Sequence, residues 1–292
     1  MLFSIIVPTY NRSNEVVKLL KTILVQTYQD FEIIVIDDGS TDDTEGKIDS
    51  IFKGNAQVKY IKQENSERAA ARNHGVRLAR GEYVNFFDSD DLMYKNHLEA
   101  AFAFIKQLEY PEIVAMGYEF ILPNGELLHK KTFPANLNEQ LIEGNQLSCN
   151  CTFVRKDVAL QFPFNEDRNL SVFEDWELWL RLAARYHFHT SKEITSVIVN
   201  HEERSVLFVN KEKMINRGHL LYKYLNQDAL FLEKYSHDLH KLRCSIFSYI
   251  SLHLTLSKKH RKSSLSYFLK AIFEYKGFIL KRRFWAIIKH WF

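Results

Sequence analysis

Scarcity narrows this chain of 292 residues before any motif does. Cysteine occurs only at Cys149, Cys151 and Cys244, too few and too odd in number for a disulfide framework, which fits a reducing compartment. The close pair in "SCNCTF" has no nearby His or Cys, so it predicts small strand side chains on one face rather than zinc ligands. Five prolines in a composition with 46% hydrophobic and 14% aromatic residues exclude wholesale disorder. No low-complexity tract or internal repeat is visible. No run reaches the ~18 apolar residues of a membrane span, and "MLFSIIVPTY" has no basic leader, so a cytoplasmic chain without a spanning helix is expected. Also absent are G-x-G-x-x-G and G-x-x-x-x-G-K-[ST], the two glycine-based phosphate cradles. Acids are lacking at one end in particular. Residues 258–292 hold ten Lys and Arg against Glu274 alone, although the whole chain carries only +3.

What is present reads as strands alternating with helices. "FSIIVPTYN" and "FEIIVIDDGS" are β-branched runs closed by polar turns, as buried strands are. Between them "SNEVVKLLKTILVQ" places Val16, Val17, Leu19, Leu20, Ile23 and Leu24 at helical spacing behind a Ser13 or Asn14 cap. A helix near "TDDTEGKIDSIF", a short strand "VKYIKQ", the helix "ERAAARNHGVRLAR" and "EYVNFFDSDD" complete a pattern of right-handed crossovers, a mostly parallel sheet with helices on both faces. After residue 110 a hairpin is expected around Asn124-Gly125, with a strand at "SCNCTFVRK", a helix at "FEDWELWLRLAARY" and a strand at "EITSVIVNHEERS". Beyond about residue 206 only helical patterns remain. The expected division is therefore an α/β domain over 1–205 and a helical, basic region over 206–292.

Three polar clusters fall where strands of an open α/β sheet end: "PTYNR", "DDGSTD" and "DSDD". The last crowds Asp88, Asp90 and Asp91 behind an aromatic strand. Such repulsion is relieved by a divalent cation, and Mg²⁺ or Mn²⁺ takes carboxylate oxygens together with substrate phosphates. A solvated turn capping the next helix is the plainer alternative.

"IIVPTYNR", "IIVIDDGSTDDT", "AARNHGVRLARGEYVNFFDSDD" and "FEDWELWLRL", in this order, resemble the inverting family-2 glycosyltransferases of the GT-A fold over about residues 3–205. The resemblance implies a nucleotide-sugar donor of the UDP-linked kind, a saccharide or lipid-linked saccharide acceptor, and Mn²⁺ or Mg²⁺ as cofactor. It implies that Asp38 accepts from the base and that Pro8, Tyr10 and Arg12 line the same pocket; Asp37 fits a turn and the site alike. Arg72 corresponds to a nucleotide-contacting basic residue, which a helix-surface ion pair explains nearly as well. Asp88 and Asp90 form the D-x-D pair of ribose and metal ligands, with Asp91 a further ligand candidate. In "FEDWELWL" Asp175 corresponds to the catalytic base, an in-line displacement needing one carboxylate to deprotonate the acceptor hydroxyl. Glu174 would orient it or touch acceptor. Trp176 and Trp179 are candidates for stacking on sugar, against the commoner core role. His201 is a candidate metal ligand, and Arg204 or Ser205 candidates for phosphate oxygens, in a loosely matching "NHEERSV".

The tail has no counterpart in that resemblance. At 100° per residue Phe284, Trp285, Ile287, Ile288, Trp291 and Phe292 share one arc of "KRRFWAIIKHWF", which suits either an anionic membrane face or docking on the protein; no nucleic-acid motif accompanies it. Two further readings of the carboxylates stay open: a metal-dependent phosphohydrolase or nucleotidyltransferase, and a non-catalytic nucleotide-sugar binder. The first, if of haloacid-dehalogenase type, wants a nucleophilic aspartate where this chain has "PTYN". The second has no need of the Glu174-Asp175 pair.

Overall fold

The structure is a computed structural model that describes residues 1–201, 210–258 and 260–291. In chain order come β1 (Phe3–Thr9), α1 (Ser13–Leu24), β2 (Phe31–Asp37), α2 (Thr44–Phe52), β3 (Val58–Lys62), α3 (Glu67–Leu78), β4 (Tyr83–Phe86), β5 (Leu92–Met93) and α4 (His97–Gln107). They are followed by β6 (Ile113–Ile121), β7 (Leu127–Lys131), α5 (Leu137–Gln140), β8 (Thr152–Arg155), α6 (Lys156–Gln161), α7 (Glu174–Ala183) and β9 (His189–Val199). Five helices close the chain: α8 (Lys211–Leu225), α9 (Ala229–Tyr235), α10 (Leu239–Leu256), α11 (Arg261–Glu274) and α12 (Arg282–Trp291).

The strands form one mixed sheet in the order β3-β2-β1-β4-β8-β6-β9-β5, with β7 paired to β6. Its first four strands are parallel, whereas β8 runs antiparallel to both β4 and β6. Every residue of β1 and β2 is buried, which explains why these strands read as unbroken apolar runs instead of alternating. Ile5, Val7, Ile33 and Val35 join Leu19, Leu20, Leu98 and Ile105 in one core, so α1 and α4 cover that face. On the other face α3 comes close because its contact residues are small: a Cβ on Gly75 would lie 2.4 Å from Ile6 Cγ2. The fold is thus α/β as expected, mixed rather than uniformly parallel because β8 inserts antiparallel between β4 and β6, and β7 and β5 pair antiparallel with β6 and β9.

Some local expectations shift. The β6–β7 hairpin turns where Asn124-Gly125 predicts, with Gly125 at φ +88°. Cys149–Cys151, however, is a 3₁₀ turn ahead of β8, and burial pushes the Cys151 thiol up to about 12, so the pair is inert packing. The start of α1 is met not by its own Ser13 or Asn14 but by Asp42, whose Oδ2 accepts from Ser13 N at 3.1 Å.

The described chain forms two compact units. One holds Met1–Leu137, Leu147–Glu166 and Tyr186–His201, and with them the whole sheet. The other holds Asn138–Gln146, Asp167–Arg185 and the described residues from 210 onward, so α7 packs with the C-terminal helices. Trp176 donates to Leu141 O at 2.7 Å, Tyr235 to Asn138 O at 2.8 Å and Ser245 Oγ to Glu143 O at 2.6 Å, all inside this second unit. Residues 202–209, where the sequence places the domain boundary, lie outside the described residues, as do Arg204 and Ser205.

Candidate active site

In the sheet unit, β1 lies between β2 and β4, and the three polar clusters follow the carboxyl ends of these adjacent parallel strands. That is where the strand order reverses and where α/β sheets open a crevice for ligands.

The first two loops are stitched together by Asn11, whose φ of 50° is the left-handed conformation asparagine tolerates. Its Oδ1 accepts from Thr41 N at 2.8 Å and Asp42 N at 3.3 Å, and its own N–H donates to Ser40 Oγ at 2.8 Å. Pro8 is buried, Tyr10 is exposed and Arg12 is partly exposed.

The two aspartates after β2 separate in role. Asp37 is fully buried, accepting from Ser40 N at 2.8 Å through Oδ1 and from the Tyr60 hydroxyl at 2.6 Å through Oδ2. Burial, reinforced by that carboxylate, pushes the Tyr60 phenol well above its ordinary range, so it stays a donor. Asp37 is therefore consumed by the turn. Asp38 places both of its bonds on Oδ1, from Gln63 Nε2 at 2.7 Å and Ser66 N at 2.8 Å, which leaves Oδ2 for a ligand donor.

Arg72 is buried and stacks its guanidinium 5.1 Å from the centroid of the Phe164 ring. Its Nη2 donates to Asp88 Oδ1 at 2.7 Å. Partial desolvation would raise the Asp88 carboxyl, but Arg72, Arg68 and Arg12 together hold it below the usual carboxylate range. Phe164 is itself pinned by Asn73, which accepts from Phe164 N at 2.9 Å and donates to Phe164 O at 2.9 Å.

Antiparallel pairing explains why the "DSDD" turn meets the end of β9. Leu92 faces Val197, so continuing outward brings the residues before β5 alongside those after Val197. His201 Nε2 lies 2.8 Å from Asp90 Oδ2, and Arg12 forms an ion pair with the same oxygen. Asp91 turns inward instead: it is buried, Oδ1 accepting from Val199 N and Oδ2 from Asn150 Nδ2, both at 3.2 Å. The turn thus presents Asp88 and Asp90 outward on cations and uses Asp91 as a strut.

Among the described residues no group of three or more His, Cys, Asp or Glu side chains converges. Asp90 and His201 nevertheless bring a carboxylate oxygen and an imidazole nitrogen to one point, a donor set that suits Mn²⁺ and, less well, Mg²⁺ if substrate phosphates complete the shell.

The acidic pair of α7 belongs to the helical unit. Glu174 is buried, while Asp175 Oδ1 accepts from Trp176 N at 2.7 Å and Oδ2 from Asn145 Nδ2 at 2.8 Å. Trp176 and Trp179 are both buried, so neither offers a face to a sugar; their helical spacing served the core. Glu177, one turn on, is buried against Arg181 at 2.7 and 2.9 Å, and burial keeps its carboxyl above the ordinary range despite that partner.

Sequence reading missed Asn145, Gln63, Asn150 and Phe164. Each supports a site side chain across 25 or more residues of chain, as in the Asn145–Asp175, Gln63–Asp38 and Asn150–Asp91 bonds, so no local pattern marks them. Asn11 was findable: a turn residue that tolerates positive φ sits inside "PTYNR".

Comparison with known proteins adds four findings. The model of the family described as glycosyl transferase family 2 matches residues 4–159. A glycosyltransferase of Rickettsia conorii is 30% identical over 271 residues, which cover 91% of this chain and 43% of that protein, so the chain spans less than half of that relative's length. Among solved structures, Staphylococcus aureus TarS 1–349 in complex with UDP-GlcNAc superposes with TM-score 0.66 at 19% identity, covering 94% of this chain and 91% of its own. The mannosyltransferase PcManGT of Pyrobaculum calidifontis, in complex with GDP-Man and Mn²⁺, superposes with TM-score 0.59 at 16% identity, covering 99% of this chain and 85% of its own. These two likenesses bear on fold.

Proposed function

This chain belongs to glycosyl transferase family 2, and from that premise we propose that it transfers a sugar, with inversion, from a UDP-linked donor to a hydroxyl of a saccharide or lipid-linked saccharide. The observation that carries the reading is the gathering of Asp38, Arg72, Asp88 and Asp90 at the carboxyl ends of β1, β2 and β4, with Asp38 Oδ2 left for a donor such as the uracil N–H. A fold neighbour with UDP-GlcNAc bound supports the choice of nucleotide.

In this reading Asp38 tests the base, Pro8 and Tyr10 flank it, and Asp88, steadied by Arg72, takes the ribose hydroxyls. Arg12 sits beside Asp90 and is positioned to meet phosphate. Asp90 and His201 would hold Mn²⁺ or Mg²⁺, which when bound neutralises negative charge on the departing diphosphate. Asp91 is a strut rather than a ligand. Asp175 removes the proton from the acceptor hydroxyl, oriented by the Asn145 amide and by Trp176 N, with Glu174 shaping its surroundings.

Purified protein given Mn²⁺ and a panel of nucleotide sugars with saccharide acceptors should release UDP from at least one donor. Failure to bind any nucleoside diphosphate with Mn²⁺ present would sink the reading. Release of inorganic phosphate from a simple phosphoester would instead favour a hydrolase.

A further inference from the structure

The arc of α12 that the sequence offers to a membrane is largely used up inside the helical unit. Phe284, Ile288 and Trp291 pack against a core of Cys244, Phe268, Ala271, Phe278 and Ile287, while Phe292 lies outside the described residues. Trp285 alone of the described arc remains mostly in water, 61% exposed.

A different apolar set is left outside. On α11, Leu265, Leu269 and Phe273 are spaced four apart and so lie within about 80° of arc. All three are exposed, Phe273 to 85%. The 3₁₀ turn Lys276–Leu280 then buries Phe278 but exposes Ile279 and, to 83%, Leu280. Lys262 falls in the α11 arc, and Lys276, Arg282 and Lys289 are exposed around the rest. Glu274, the single acid of this stretch, is partly buried on Arg243 at 2.8 Å. From 260 to 291, therefore, the exposed side chains are cations, large apolar groups, Ser266 and His290, with no exposed carboxylate.

From this pairing of chemistries we infer that the α11–α12 surface docks on an anionic lipid bilayer, with Phe273, Leu280 and Trp285 entering the acyl boundary and Lys262, Lys276 and Arg282 meeting headgroup phosphates. Charge complementarity selects this occupant. A second copy of the chain would bring like charges face to face across a two-fold interface. Nucleic acid would satisfy the cations but give the protruding Leu and Ile side chains nothing to enter. A bilayer with acidic headgroups takes both kinds of group, which is how amphipathic basic surfaces bind membranes peripherally.

The test uses the full chain and vesicles of phosphatidylglycerol mixed with phosphatidylcholine, against vesicles of phosphatidylcholine alone. Co-sedimentation should be strong with the first and weak with the second, and should fall as salt rises. Phe273→Ser with Leu280→Ser, and separately Lys276→Glu with Arg282→Glu, should each lower partitioning by about tenfold or more at unchanged thermal midpoint. Tryptophan emission should shift to the blue on binding, and Trp285→Phe should abolish the shift, a readout that does not depend on the multiple variants folding. Equal binding to both vesicle types, or none to either, overturns the inference. So does dimerisation lost in the serine variant without vesicle binding, or affinity for duplex DNA that matches that for vesicles.

Discussion

Asp90 and Asp175 have different hydrogen-bond partners, and the difference separates what their asparagine variants should lose. Asp90 Oδ2 faces Arg12 and His201, so Asp90→Asn removes both a metal donor and the charge that holds those two groups. Mn²⁺-dependent affinity for UDP should fall by about 10- to 100-fold, and turnover with it. Asp175→Asn should leave UDP affinity nearly unchanged while turnover drops by roughly 10²–10⁴. Calorimetric titration of UDP into both variants checks this, and the opposite pattern would reverse the two assignments. Asn145→Ala belongs with Asp175. Its amide donates to Asp175 Oδ2 at 2.8 Å and fixes the carboxylate's orientation. Losing that donor should lower kcat by about tenfold with UDP affinity intact, read by steady-state kinetics beside calorimetric titration. An unchanged kcat would mean that Asn145 does not steady the base during turnover.

At the scale of elements, loops are held in place by contacts remote in sequence. Gly39 follows Asp38 at φ +83°, and a Cβ there would lie 3.0 Å from Asn65 N and 3.3 Å from Gln63 O. Gly39→Ala must therefore displace the 63–66 segment that fixes Asp38. A loss of stability of about 1–2 kcal/mol is expected, with weakened UDP binding, measurable by urea unfolding and titration. Strands and helices themselves were legible, because burial on both faces imposes apolar runs on β1 and β2 and burial on one face imposes a 3.6-residue period on α1. The two-residue β5 was not, since a strand that short has no period, yet its pairing with β9 is what carries His201 to Asp90. For α12 the pattern was visible but its destination was not. An apolar arc signals burial against something, and the same arc serves protein or lipid equally.

Across the whole molecule, acid should unfold this chain through histidines buried without charge. His97 is fully buried, its Nδ1 2.7 Å from Thr195 Oγ1, and burial holds it down to about 3, against 6.5 ordinarily. His253 is held down to about 4 by burial and by Arg283. In that window the unfolded chain binds protons that the folded one refuses, so stability is full above about pH 6.5 and lost as pH falls. His97 alone contributes a slope of up to about 1.4 kcal/mol per pH unit. Chemical unfolding between about pH 7 and pH 5 should show it, and His97→Asn should flatten the slope; an equal slope in the variant would place the acid sensitivity elsewhere. The sequence by itself determined the α/β alternation, the three loops at the strand ends and the family, because strand burial, helical period and short motifs are local quantities. Only tertiary structure decided that Asp37 and Asp91 turn inward while Asp38 is bonded through Oδ1 and Asp88 and Asp90 meet Arg72 and Arg12, that Asn145 holds Asp175, and that α7 packs with the C-terminal helices. Neighbouring aspartates look alike in a string of letters. What distinguishes them is which oxygen a partner 20 to 110 residues away has already taken, and that is fixed only when the chain closes on itself.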